Sequence, residues 1–410
     1  MIAVSACMPQ AVVSRIVSLN MARSDCTMLL PFLKRCVFLL AFAASSTAAG
    51  DDRSLLETIA KTGPGGIGSA EARAARDELA QRGIALLPAL VTAMDTNNPI
   101  AANWYRTIYE EITMRHLVDP DAVWPIDFLK DYVSDSQRAG RPRRLVLKLI
   151  DRLEPEYRNE WLSERLTDPE FRQDAIALLL QRAKQLMNAD NRDAARLHLQ
   201  TAFEHARDRR QVLEAADGLS VLGNPVDVIR HLGLVTDWWV AGPFDAPDKS
   251  GFALHFPPET AVDLRTEFSG QQKQRFGWIR HTAKDRLGQL NLVDVLGKTD
   301  EAVAYVWTQF TVREPQDVQL RCSADDCCLV WLNGEVVSAH EQWLNGTRFD
   351  RLVDQVSLTQ GTNEILVKVC QGPQHRNPEV FNNWSLQLRL CDSDGQGIPF
   401  ENALSNLGTP

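Results

Sequence analysis

The 410 residues, 44% hydrophobic and 24% charged, suffice for two or three domains with ordinary cores. A formal net charge of −9, with no Lys/Arg run beyond a few residues, counts against a nucleic-acid partner, whose phosphates need a clustered basic surface. The acidic excess is spread along the chain and reads as a solvated surface rather than an acidic tail.

Residues 1–49 read as an over-called start followed by a signal peptide. Lys34-Arg35 precede the apolar run Cys36–Ala44, and the small residues Ser45–Gly50 follow, with an A-x-A-like cleavage site near Ala48 or Ala49. The run is far shorter than the roughly 18 residues a membrane span needs, so no span is expected in the mature chain. Counted from Met28 the segment has ordinary proportions, which places Met1–Thr27 outside it. The expectation is an exported protein, periplasmic, envelope-bound or extracellular, that begins near Gly50 or Asp51.

Residues 50–232 carry the helical period. Ser69 is placed to cap a helix over 70–82, and Gly83 stops it. Ile84, Leu86, Leu87, Leu90, Val91 and Met94 then form one apolar face. Asp168-Pro169-Glu170 combines a capping Asp, Pro at the first helical position and an acid in the first turn, and opens a helix over 171–187. Helices over 193–207 and 210–222 follow, ended by Gly223-Asn224-Pro225. Short amphipathic helices rich in Ala, with brief connections, resemble HEAT- or TPR-type arrays at the level of class. Such arrays present surfaces to proteins, so a protein partner is the expected role of this half. His198 and His205 are seven apart, two turns along one face, and do not suit a metal.

After Leu232 the pattern changes to β-branched residues, tryptophans and turn dipeptides. Residues 233–300 read as a connecting β/loop segment that packs on a sandwich, with Thr236–Phe244 as its clearest strand. Residues 301–396 supply strands over 302–312, 318–322, 328–332, 335–338, 352–358, 364–370 and 384–391, and 397–410 read as a tail. Even spacing with turns between strands points to an antiparallel sandwich or jelly roll. Asn333-Gly334 suits a type I′ hairpin turn, which needs positive φ at both positions. The fold class is therefore multidomain, α then β.

Val330-Trp331-Leu332-Asn333-Gly334, followed by Leu358-x-x-Gly361-x-Asn363-x-Ile365-Leu-Val-Lys-Val369, resembles the galactose-binding-like jelly roll. It is similar to the sugar-binding domain of family 2 glycoside hydrolases. No (β/α)₈ barrel follows it, so the resemblance implies carbohydrate binding and not hydrolysis. The expected contact surface is the loop holding His340, Trp343, Asn345, Arg348 and Asp350, with Asn383 and Trp384 beside it. An aromatic face would stack on a pyranose ring while amides, carboxylates and guanidinium groups meet the hydroxyls.

Chemistry-bearing motifs do not add to this. Gly63–Gly68 is glycine-rich but follows a helix and lacks Lys-Ser/Thr, and Asp392-Ser393-Asp394-Gly395 lacks the downstream acid of a calcium loop. No catalytic residue, metal or cofactor is expected. Five cysteines remain after the leader: Cys322, Cys327, Cys328, Cys370 and Cys391. Cys322 with Cys327 or Cys328, across a short turn, is the expected disulfide. If strands 364–370 and 384–391 are neighbours, Cys370 and Cys391 lie about 20 Å apart, beyond the roughly 7 Å that a disulfide spans. Two roles fit the whole: an exported scaffold or interaction protein whose sandwich binds carbohydrate, or a dedicated carbohydrate-binding protein of the envelope or matrix. An unrecognised glycan-acting hydrolase is the third.

Overall fold

The computed structural model describes residues 51–343, 346–374, 376–377, 379 and 382–404. The signal-peptide expectation and Asn345 lie outside them. Helices come first and antiparallel sheets second. None of the described helices is long and apolar enough to cross a membrane. The chain forms two compact units, one ending at Leu149 and one from Ile150 onward.

The first unit is helical: α1 over 51–60, α2 (Ser69–Leu79), α3 (Leu87–Ala93), α4 (Pro99–His116), α5 (Ile126–Ser134) and α6 (Gly140–Leu153), which runs on into the second. Asn98 caps α4 from a residue position followed by Pro99, accepting from Ile100 N at 3.1 Å and Ala101 N at 3.3 Å. Its amide donates to Thr62 O at 2.7 Å, so the same cap fixes the preceding helix–helix connection. Asp95 gathers Tyr132 OH, the Arg138 guanidinium and Ala139 N, each within 3.0 Å. Leu79, Leu87, Leu90, Ile108 and Ile112 fill the space between, as their helical spacing dictates.

The second unit begins with helices. After α6 come α7 (Tyr157–Leu162), α8 (Arg172–Asn188), α9 (Arg192–His205), α10 (Arg209–Val221) and α11 (Val228–Leu232). Asp168 accepts from Glu170 N and Phe171 N in a turn that precedes α8, so it is not the expected helix cap: Phe171 takes that position, without a side-chain bond. Asp208 caps α10 through Arg210 N and Gln211 N. The stripe of Ile176, Ala183, Leu199, Ala202, Ala215 and Leu219 packs as one core with Leu232 and Leu234.

Two sheets form the sandwich. The larger has the order β4 (Ile279–Thr282), β1 (Asp237–Asp245), β6 (Ala302–Val312), β11 (Gly361–Gln371), β8 (Cys328–Leu332), β9 (Glu335–His340), with β13 (Glu401–Asn402) also on β6. The smaller runs β10 (Leu352–Leu358), β7 (Gln316–Ala324), β12 (Ser385–Cys391), β5 (Leu290–Asn291). A separate ribbon pairs β2 (Phe268–Ser269) with β3 (Arg275–Phe276). Successive side chains of a strand point to opposite faces. Trp238 therefore joins Val306, Leu320, Ile365 and Leu388 between the sheets. Trp239 joins Phe244, Tyr305 and Trp307 on the far face of the larger sheet. That far face is covered by residues 246–278, held by a buried ion pair: Lys368 Nζ lies 2.9 Å from Glu259 Oε1. Tyr305 and His255 also donate to the Glu259 carboxylate.

Three boundaries differ from the sequence reading. Residues 233–300 are no connector, because β1 sits inside the larger sheet between β4 and β6. The 397–404 stretch is no tail: Ile398 is buried in the core and β13 pairs with β6. Leu232 ends no domain, since α7–α11 belong with the sandwich. Leu234 bridges Arg389, Val235 N donates to Leu388 O, and Leu390 N donates to Gly233 O. Gly233 has φ of 69°, and a Cβ there would sit 2.1 Å from Leu390 O. Only glycine satisfies both the left-handed backbone and that approach.

One side chain closes this junction. Arg389 Nε and Nη2 donate to Asp350 at 2.7 and 2.6 Å, and Nη1 donates to Leu232 O and Gly395 O. Arg321 Nη1 adds a bond to Asp350 at 2.7 Å. Burial alone would raise the Asp350 pKa, but the two guanidinium groups outweigh it and hold the carboxyl below its usual range. Asp350→Asn would strand Arg389, so urea unfolding should show a loss of about 3 kcal/mol at neutral pH. Because folding lowers this pKa, the stabilisation is complete above the unfolded value of about 3.9 and fades as pH falls through the folded one. The gap between wild type and variant should close over that acidic window.

Candidate functional site

The expected contact loop does not form one surface. Trp384 is fully buried and its indole N–H donates to Val369 O at 3.3 Å, so it is a core residue and not a platform. Asp350 has both carboxylate oxygens occupied by Arg389 and Arg321 and is not available to hydroxyl groups. Trp343 is half-buried against Gly372, where an added Cβ would meet its ring at 3.1 Å. Lys249 Nζ lies 5.8 Å from its centroid. Its ring therefore packs on the aromatic cover of the larger sheet instead of standing free. His340 ends β9 opposite Cys328. Arg348 and Asn383 are exposed, and each lines a cleft.

The corner between β7 and β8 explains this division. Residues 325–327 carry the chain from one sheet to the other, and successive side chains face opposite ways. Asp325 Oδ2 accepts from Ser385 Oγ at 3.1 Å, and its Oδ1 from Thr347 Oγ1 at 3.3 Å. Burial raises its pKa. Asp326 turns the other way and accepts from Gly372 N at 2.8 Å. One acid therefore fixes the 346–350 segment and its neighbour fixes the start of the 372–383 loop.

Between these loops and residues 281–294 lies a cleft of about 490 Å³. His281 comes from β4, Lys284 from the following loop, Asp294 from the short α12 (Leu292–Leu296) and Asn383 from the residues before β12. Among the described residues these four side chains have no hydrogen-bond partner, although all line the cleft. Other polar lining residues are committed. Gln289 donates to Ser385 Oγ, Asn291 caps α12, and Asp285 accepts from Leu287 N. The set offers an ammonium, an amide, an imidazole and a carboxylate, which suits a hydroxyl-rich ligand better than an apolar one. Sequence reasoning missed His281, Lys284 and Asp294. The only signal was the polar run His281–Gln289, which carries no motif.

A second cleft, of about 440 Å³, lies between the α9–α10 turn and residues 347–350. Arg207, Arg209 and Arg348 line it, and Thr347 lines both clefts.

The five cysteines among the described residues are buried and unbridged, so the expected disulfide of Cys322 with Cys327 or Cys328 is not formed. Cys327 faces the aromatic cover, whereas Cys322 and Cys328 face the inter-sheet core. Hydrogen bonding to Cys328, together with burial, pushes the Cys322 thiol up. Burial pushes Cys327 up to about 12. Cys370 and Cys391 are likewise unbridged, and their strands are not neighbours: β11 and β12 belong to different sheets.

Two measurements follow from these placements. Trp343→Ala should lower stability by about 2 kcal/mol in chemical unfolding, as truncation of a packed aromatic does, rather than leave the fold untouched. In the chain from Asp51, Ellman's reagent should react with none of the five thiols when folded and with all five in denaturant.

No protein-family model matches the chain, and no curated protein sequence matches it. Among solved structures, a β-glucosidase from Kluyveromyces marxianus in complex with glucose is similar over 38% of this chain and 16% of that one, at 12% identity and a TM-score of 0.24. A β-glucuronidase from an uncultured Clostridium sp. is similar over 39% of this chain and 29% of that one, at 14% identity and a TM-score of 0.24. A family 35 carbohydrate binding module from Clostridium thermocellum is similar over 22% of this chain and 78% of that one, at 14% identity and a TM-score of 0.15. The match thus spans well under two thirds of the length of either glycosidase.

Proposed function

We propose that this is an exported, non-catalytic scaffold protein whose sandwich binds carbohydrate in the cleft lined by His281, Lys284, Asp294 and Asn383. The observation that carries the reading is the gathering of those four side chains, unpartnered among the described residues, from residues 281–294 and from Asn383 onto one cleft. Lys284 and Asn383 supply donors, Asp294 and the Asn383 carbonyl supply acceptors, and saccharide hydroxyls need both. Its volume suits one or two sugar rings.

The non-catalytic assignment draws on the carboxylates around the cleft. Glycoside hydrolysis uses two working carboxyl groups. Asp285 is engaged in its own turn and Asp325 is held by two hydroxyl groups, which leaves Asp294 alone among the described lining acids. Export draws on the basic, apolar and small residues of 34–50.

A scaffold role in the first unit is favoured by one feature of its surface. Met114, Val118 and Val123 are 69%, 84% and 85% exposed around the α4–α5 connection, and Phe128 is 37% exposed. Apolar side chains gathered on a surface in this way suit contact with a protein.

NMR titration of the chain from Asp51 with neutral oligosaccharides should shift resonances of residues 281–294 and 383. Asn383→Ala should weaken binding by about 1 kcal/mol, the net worth of a hydrogen bond, with unchanged unfolding. Shifts confined elsewhere would refute the cleft. N-terminal sequencing from the native host should give a start within a few residues of Gly50.

A further inference from the structure

The second cleft is basic, in a chain whose formal charge is −9. Arg207 donates through Nη1 to Glu204 O and Ala206 O, and through Nη2 to Gln396 Oε1. Its Nε is buried and has no partner. The Arg209 and Arg348 side chains are exposed and make no hydrogen bond among the described residues, while Arg348 N is anchored to Ser323 Oγ at 2.9 Å. Two carboxylates also line the cleft, and both are committed. Asp208 caps α10 through Arg210 N and Gln211 N, with the Arg210 guanidinium 3.8 Å away. Asp350 is shared by Arg321 and Arg389.

The three lining arginines outnumber the two lining carboxylates, each of which already has another arginine beside it. Of the nearby acids, Asp394 pairs with Arg172, and Asp392 accepts from Asp394 N and Gln396 N and keeps its charge. Burial, with Arg172 next, pulls the Arg207 pKa below its ordinary value, and the opposing pull of Asp392 and Asp394 does not restore it. Planar guanidinium donors match the oxygens of a carboxylate or sulfate and leave open the position that such a group would fill.

We infer that this cleft binds the oxyanion of an acidic saccharide, a uronate carboxylate or a sulfate ester, through Arg207, Arg209 and Arg348. Thr347, which lines both clefts, places that anion beside a neutral sugar in the cleft of His281 and Asn383. The inference rests on the saccharide reading of that neighbouring cleft and adds the class of ligand: an oligosaccharide carrying at least one anionic unit.

The test is calorimetric titration of the chain from Asp51 with a hexuronate trisaccharide, its neutral methyl ester and inorganic sulfate, each at low and high salt. The acid should bind about tenfold more tightly than the ester, and the preference should shrink with salt. Arg348→Gln and Arg209→Gln should remove the preference and keep the wild-type thermal midpoint, because both side chains are exposed. Equal binding of acid and ester, or a preference that survives both substitutions, overturns the anion cleft and leaves the saccharide reading standing. Arginine-dependent binding of sulfate without either trisaccharide supports the anion cleft and overturns the saccharide reading. No binding of any of the three overturns both.

Discussion

The second unit is organised around the paired bonds between Arg389 and Asp350. A guanidinium group in the interior is tolerable only when its donors are met. Here they are met by a carboxylate from the 346–350 segment, by the last carbonyl of α11 and by a carbonyl of the 392–397 turn. Three parts of the chain far apart in sequence thereby share one charge: the helical segment, the loop, and β12 with the turn that follows it. Gly233 and Gly397 make the arrangement possible, because their bare backbones let α11 and the turn approach β12. The position of Thr347, and with it the wall between the two clefts, is a by-product of this packing.

The same constraint explains what the sequence made legible. Local chemistry was readable: Asp168 holds the turn that leads into α8, and Asn333 and Gly334 take φ of 52° and 86° in the hairpin turn. The two motifs behind the jelly-roll resemblance prove to be one unit, since Asn333 Nδ2 donates to Asn363 Oδ1 at 3.0 Å and Glu364 N donates to Asn333 Oδ1. The pairing of β8 with β11 puts them side by side. Trp238 and Trp239 could be placed in a strand, although nothing in their order says which faces which core.

What depends on distant partners was not readable. Asp350 looks like a ligand-binding acid until Arg389 and Arg321 are found beside it. Trp343, judged free because it lies outside the strand pattern, is taken up by the aromatic cover. His281, Lys284 and Asp294 belong to a stretch with strands too short to show a period, β5 being two residues long. The boundary at Leu149 has no compositional mark, because helices continue on both sides of it.

The layer that Lys368 and Glu259 hold against the larger sheet has a geometric effect on recognition. A sheet with one face open can act as a flat track along which an extended polymer lies with many rings in contact. Here both faces of β6 and β11 are occupied, and their burial runs almost without a break along the strands. This sheet therefore offers no such track, and on the proposed reading a long glycan meets the sandwich at its rim, end-on or at a single branch. Affinity under that geometry does not grow with chain length, and tight attachment to a polymer comes from presenting several copies of the sandwich together.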